Sequence, residues 1–190
     1  MTKTETMLSP AETRALARRI DRPVVLVGMM GTGKTTIGRK LAAALDLPFA
    51  DADEEIEQAA RMSVSEIFEQ FGEDYFRDGE RRVIARLVGD RPSVIATGGG
   101  AFVNDETRAL ILGKAIAVWL DCDTDVLVER VTRKDTRPLL SGGDPREIVE
   151  RLKNEREPYY AQAPVHVASR VGPHEQTVQR ILKAIEPCLP

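Results

Sequence analysis

Apolar positions along this chain come in two kinds of run, and the two alternate. Short, nearly unbroken runs at 24–27, 93–97 and 115–120 read as strands, the first as a buried strand of a parallel sheet, and 165–168 reads as a weak further strand. Phe49-Ala50 reads as a further, very short strand. Between these runs the apolar residues recur three and four apart: Ile37, Leu41, Ala44 and Leu45 in one segment, Val178, Ile181, Leu182 and Ile185 in another. That is the period of a helix with one buried face. Helix starts are marked by Ser9-Pro10 with Glu12, Ser63 with Glu66, Asn104 or Asp105, and Asp144-Pro145. The spacing predicts a first helix to about residue 20, carrying Arg14, Arg18 and Arg19 as an exposed appendage before the domain. It predicts a helix from 63 to the Phe71-Gly72 break, a long surface helix over 73–88, and further helices ending near 113, 132, 160 and 185. Strands alternating with helices make a doubly wound α/β domain with a mostly parallel sheet. The expected division is an N-terminal extension, 1–22, and a single domain, 23–186.

Composition narrows the class. The chain has 190 residues, 30% charged and 42% hydrophobic, which suits one soluble globular domain with a substantial core. A net charge of -3 leaves no basic footprint for nucleic acid. No apolar run approaches the roughly 20 residues of a membrane span. The polar first ten residues lack the apolar centre of a secretory signal. Cys122 and Cys188 form no metal or redox spacing. The expectation is a cytoplasmic protein with neither nucleic acid nor membrane as partner.

Chemistry concentrates where strands end. Gly28, Gly33, Lys34 and Thr35 fit the phosphate-loop pattern G-x-x-x-x-G-K-[ST] between an apolar strand and a helix. Gly28, Gly31 and Gly33 let the backbone turn and approach an anion, Lys34 suits the β- and γ-phosphates, and the Thr35 hydroxyl suits Mg²⁺. Asp51 and Asp53 follow the second strand, where alternation would put both on one face. There they suit a metal partner and a proton acceptor, or Asp53 merely begins the next helix. Arg77 and Glu80 share a helix face, as a substrate pair or a solvated ion pair. The third strand runs into Gly98-Gly99-Gly100, which removes every side chain at its carboxyl end and lets a small ligand touch backbone. Arg130, Arg133, Lys134 and Arg137 gather before the Pro/Gly-rich stretch 138–143, a phosphate lid over about 133–145 or a solvated helix end.

These landmarks, with Thr136-Arg137-Pro138-Leu139-Leu140 and Arg156-Glu157-Pro158-Tyr159-Tyr160, closely resemble shikimate kinase in order and spacing over about 23–185. The resemblance implies the phosphate-loop NTPase fold of the nucleoside monophosphate kinase type: a five-stranded parallel sheet in the order 2-3-1-4-5, helices on both faces, a substrate region at about 53–80 and a mobile lid. It implies transfer of the γ-phosphoryl group of ATP to the 3-hydroxyl of shikimate, in chorismate and aromatic amino acid biosynthesis, by a monomer. Carried over by position, Met30, Gly31, Thr32, Gly33, Lys34, Thr35 and Thr36 hold ATP together with Arg130 and the lid residue Arg137. Thr35 and Asp51 serve Mg²⁺, and Lys34, Asp53 and Arg137 form the catalytic set. Shikimate falls to Asp53, Arg77, Glu80, Gly98, Gly99, Gly100 and Arg156, with the two arginines on its carboxylate.

One segment departs from the family. Residues 167–173 are shorter than the usual adenine loop and lack its aspartate, leaving Arg170 as the one candidate adenine contact. A gluconate kinase would keep the phosphate loop but has no reason to set Arg77 and Arg156 around three glycines. A catalytically inactive, nucleotide-binding regulatory relative would be expected to lose Lys34, Asp53 or Arg137, and all three are present.

Overall fold

Five short strands take up the apolar runs, all paired in parallel: β1 Val24–Val27, β2 Phe49–Asp51, β3 Val94–Ala96, β4 Ile116–Asp121 and β5 Val165–Ala168. The computed structural model describes residues 7–89, 91–133 and 143–190. The order across the sheet is β2-β3-β1-β4-β5, as the family resemblance implied. β1 lies in the middle, with Val24 opposite both Val94 and Ile116, and all four of its residues are buried. A central strand with helices on either side has no polar face, which is why its sequence is an unbroken apolar run.

Alternate residues feed two cores. Val25 and Val27 pack with Ile95, Ala117 and Trp119 under α4 (Val64–Gly89), α5 (Asp105–Lys114), α6 (Thr124–Thr132) and α7 (Pro145–Tyr160). Val24 and Leu26 pack with Val94, Ile116 and Val118 against α1 (Pro10–Ala17), α2 (Lys34–Leu45) and α8 (His174–Ile185). A small third cluster, Ile56, Ile67 and Phe76, joins α3 (Ala52–Ala60) to α4. The capping signals hold: Ser9 and Ser63 each form a reciprocal box with Glu12 and Glu66, and Asn104 accepts from the Thr107 N–H at 3.0 Å. α4 is interrupted at Gly72, whose φ of 81° and ψ of 175° are not helical, so the break anticipated at Phe71-Gly72 is real. The strand order reverses at β1, and this opens a crevice at the carboxyl ends of β1 and β3.

Two expectations change. The N-terminal helix is not an exposed appendage. It ends at Ala17, and two tighter turns carry the chain to Ile20. Leu16, 4% exposed, and Ile20, 6% exposed, are buried in the core under α2 and α8. The Leu8 N–H donates to Gln179 Oε1 at 2.8 Å, Arg19 Nε to the Pro190 carbonyl at 2.8 Å, and Arg22 Nη2 to the Cys188 carbonyl at 3.0 Å. Of the arginines that suggested a solvated face, Arg14 and Arg18 are exposed, while Arg19 reaches carbonyls near the C-terminus. The helical segment over 73–88 also lies less on the surface than its charges suggest, because Phe76, Glu80, Ile84 and Val88 recur every fourth residue and are all buried.

Leu16→Ala tests the docking of α1. It should lower the unfolding free energy by about 2–3 kcal/mol, the usual loss for a buried leucine, measured by chemical denaturation. An unchanged midpoint would mean that α1 does not belong to the core.

Candidate active site

The loop between β1 and α2 is shaped by close contact with β4. A side chain at Gly28, where φ is 136°, would collide with the Leu120 carbonyl. Gly33 ends the loop with φ 92° and offers no side-chain cap to α2, leaving the helix's first N–H groups to the loop's concave side. Lys34 is buried and folds back, donating to the Gly28 carbonyl at 2.8 Å and the Met29 carbonyl at 2.7 Å. Thr32 is buried and donates to the Met29 carbonyl at 2.9 Å. Arg130 reaches across from α6 to the Gly31 carbonyl at 3.1 Å. Thr36 and Arg170 are both exposed. Arg137 and residues 134–142 of the expected lid lie outside the described residues.

Asp51 and Asp53 come together by a route other than strand alternation. Asp51 ends β2 and caps α3, and Asp53 lies in the first turn of that helix. Asp51 divides its two oxygens. Oδ1 accepts from the N–H groups of Asp53 and Glu54 at 3.0 and 3.4 Å, while Oδ2 accepts from Thr35 Oγ1 at 2.6 Å. A hydroxyl and a carboxylate at the edge of a phosphate loop are the hard oxygen donors that Mg²⁺ prefers. Among the described residues no group of three His, Cys, Asp or Glu side chains could hold a metal alone. Mg²⁺ keeps several waters and takes phosphate oxygens for the rest of its shell, so one or two protein oxygens suffice. The residues present therefore fit Mg²⁺.

Four charged side chains converge on Gly98-Gly99-Gly100. A methyl group at Gly98 would lie 2.8 Å from Glu80 Oε1 and 2.9 Å from Asp53 Oδ1. One at Gly99 would lie 3.4 Å from Arg156 Nη1 and 3.3 Å from the Met30 nitrogen. One at Gly100 would collide with the Arg77 guanidinium. At Gly98 and Gly100 the charged groups occupy the volume of the missing side chains, while Gly99 is tightest against the Met30 backbone. Arg77 Nη1 donates to Glu80 Oε2 at 2.6 Å, and Arg77 Nη2 to Glu73 Oε1 at 3.2 Å. Glu80 is 1% exposed, so this is not the solvated surface pair that local sequence allows. Burial pushes Glu80 up to about 7, against the pull of Arg77. Burial, aided by the Asp51 charge, pushes Asp53 up to about 6, while Lys34 and Arg77 pull it down. Burial works against the Arg77 charge too, but Glu80 and Glu73 outweigh it and raise its pKa. Among the described residues, Asp53 Oδ1, Glu80 Oε1 and Arg156 Nη1 are buried without a hydrogen-bond partner. Unpaired buried polar atoms are costly, and three within one crevice mark where a polar ligand would satisfy them.

Two residues here carry no motif signal of their own. Tyr160 is 1% exposed and donates a short hydrogen bond from its hydroxyl to the Gly99 carbonyl. Ser169 is buried, takes the Asp121 carbonyl through its N–H at 2.6 Å, and donates from Oγ to the Thr32 carbonyl at 3.0 Å. It thereby ties the phosphate loop to the ends of β4 and β5. Both lie in stretches whose residues stood out in the sequence, beside Arg156 and Arg170, yet only tertiary contacts show what they touch.

A sequence model of the shikimate kinase family matches residues 30–186. The chain is 63% identical over 185 residues to the shikimate kinase of Novosphingobium aromaticivorans, covering 95% of each chain. It is 52% identical over 164 residues to that of Zymomonas mobilis, covering 86% of this chain and 93% of the relative. Among solved structures, shikimate kinase from Acinetobacter baumannii in complex with shikimate superposes with a TM-score of 0.87 at 33% identity, covering 93% of this chain and 98% of that one. With the phosphate loop, the paired aspartates and the charged crevice at three glycines already in place, these matches lead to one conclusion: the chain belongs to the shikimate kinase family.

Proposed function

We propose that shikimate lies in the crevice over Gly98-Gly99-Gly100 and receives the γ-phosphoryl group of ATP held on the phosphate loop. The observation that carries this reading is the convergence there of three buried, unpartnered polar atoms on Asp53, Glu80 and Arg156. Their chemistry matches the substrate, since guanidinium forks suit its carboxylate and carboxylate oxygens suit its hydroxyls. Arg77 and Arg156 hold the carboxylate, with Glu80 fixing the Arg77 fork through the 2.6 Å hydrogen bond. Gly98, Gly99 and Gly100 meet the substrate through backbone. Asp53 binds the reacting hydroxyl and takes its proton as the new O–P bond forms and the bond to ADP breaks. A carboxylate raised to about 6 is a stronger base than an ordinary aspartate and is still largely ionised near neutrality.

At the other end, Met30, Gly31, Thr32, Gly33, Lys34, Thr35 and Thr36 hold the phosphates. Lys34 exchanges its loop carbonyls for phosphate oxygens, Arg130 lies near the nucleotide, and Arg137 and Arg170 complete the nucleotide set. Thr35 and Asp51 hold Mg²⁺, which neutralises phosphate charge when bound. Lys34 and Asp53 act with Arg137 as the catalytic group. In this reading the chain acts as a monomer. The absence of any described helix long and apolar enough to cross a membrane is compatible with work in the cytoplasm.

ADP release from Mg-ATP, with shikimate, gluconate, a nucleoside monophosphate or no acceptor in parallel, tests the acceptor directly. Turnover with shikimate alone is expected. Turnover with gluconate instead would discard the two-arginine assignment. Asp53→Asn should lower kcat by about 10² or more if the carboxylate takes the proton, whereas a change confined to KM for shikimate would make it a binding group only.

The raised carboxyls also tie stability to pH. A carboxyl whose pKa is higher in the folded protein stabilises the fold below its unfolded value and loses that contribution as pH rises through the folded one. For Asp53 the window runs from 3.8 to about 6, and for Glu80 from 4.5 to about 7. Without ligands, Asp53→Asn should therefore gain stability relative to the native chain between pH 4 and pH 7, by up to about 3 kcal/mol at 1.4 kcal/mol per pH unit. Denaturation at both pH values measures it. A difference independent of pH would show that Asp53 titrates normally.

A further inference from the structure

Tyr160 ends α7, one helical turn beyond Arg156, so the two side chains rise from the same face of the helix. Its ring is buried and tilted against Trp119 of β4, with centroids 6.1 Å apart, which fixes where the hydroxyl points. The hydroxyl donates to the Gly99 carbonyl. Arg156, Arg77 and Glu80 all act electrostatically on the same phenol, with Arg156 foremost among them. Tyr160 thus touches the triple glycine and lies within the electrostatic reach of its charged groups.

We infer that Tyr160 is a positioning residue that holds the Gly99–Gly100 peptide and the Arg156 guanidinium in the arrangement that receives the substrate's carboxylate end. The inference rests on the reading of Arg156 and the glycines as shikimate-binding groups. The physical need is specific. A run of three glycines has the widest backbone freedom of any tripeptide, and an anion-binding surface made of it needs an external anchor. A hydrogen bond to the Gly99 carbonyl sets the plane of the next peptide, and in a trans peptide the N–H then points away from Tyr160. The same phenol limits where the Arg156 fork can lie, so Nη1 stays near Gly99 although no hydrogen bond of its own restrains it. The Tyr160 hydroxyl bonds to the glycine floor, so its effect belongs to the acceptor side of the site.

Tyr160→Phe removes the hydroxyl and keeps the ring against Trp119. The expected result is a rise of about tenfold in KM for shikimate, the fold-change of one lost hydrogen bond, with KM for ATP within about twofold of the native value. Equal rises for both substrates would reduce Tyr160 to a structural residue, and no rise for shikimate would remove its role altogether. Arg156→Lys and the double variant are measured alongside. If Tyr160 works through Arg156, the double variant should lose less than the product of the single losses. Fully multiplicative losses would overturn that coupling. If Arg156→Lys raises KM for shikimate and Tyr160→Phe does not, this inference alone fails. If Arg156→Lys leaves KM for shikimate unchanged, the carboxylate assignment fails and takes the inference with it.

Discussion

Gly98-Gly99-Gly100 has no side chains, and the space they would fill is taken by Glu80, Asp53, Arg156 and Arg77 in turn. The candidate site depends on that substitution of charge for volume. The four groups come from separate parts of the chain: α3, α4 and α7 contribute them, and the end of β3 supplies the floor. A side chain at Gly98 or Gly100 would push one of them out. Because the floor is bare, two acids and two arginines share a small buried volume, and their charges are balanced unequally. Arg77 bonds to Glu80 Oε2, whereas Glu80 Oε1, Asp53 Oδ1 and Arg156 Nη1 are left without partners.

That imbalance links stability to function. The free protein holds carboxyls that burial pushes up to about 6 and about 7, a state disfavoured near neutral pH. Proteins keep such strained polar groups where a ligand or a reaction uses them. The phosphate loop is arranged in a related way. Lys34 is held by the loop's own carbonyls and Thr35 by Asp51, so the groups meant for phosphate and metal already have partners that can be exchanged. A charged side chain kept on polar atoms stays close to its place of use without being left bare in a buried site.

The sheet explains why these two half-sites adjoin. The order β2-β3-β1-β4-β5 reverses at β1, so the loops following β1 and β3 leave the same edge side by side. The Met30 nitrogen and Gly99 are in near contact as a result. Phosphoryl transfer requires donor and acceptor in line and little covalent help from the protein. A topology that sets a phosphate loop beside a bare glycine floor therefore meets the main requirement before any particular side chain is considered.

Local pattern determined much of this by itself. The unbroken apolar runs specified β1, β3 and β4, because a strand buried on both faces has no other composition available to it; β2 and β5, only partly buried, gave weaker signals. Ser9, Ser63 and Asn104 specified helix starts through bonds that span only three residues. The phosphate loop was legible for the same reason: its chemistry is made within one contiguous turn. What the tertiary structure decided is what depends on residues far apart in sequence. Arg14, Arg18 and Arg19 made α1 look solvated, and only the positions of α2, α8 and the C-terminal carbonyls show that Leu16 and Ile20 are core. Arg77 and Glu80 read equally well as a surface pair until the floor at Gly98 and Gly100 buried them. Asp51 and Asp53 neighbour each other through a strand-to-helix turn, which alternation along a strand does not anticipate. Tyr160 belongs to a landmark and Ser169 to the segment 167–173, but neither stretch says which distant carbonyl its hydroxyl meets. Periodicity and motifs report local geometry. Burial, charge coupling and long-range hydrogen bonds exist only once the chain has closed on itself.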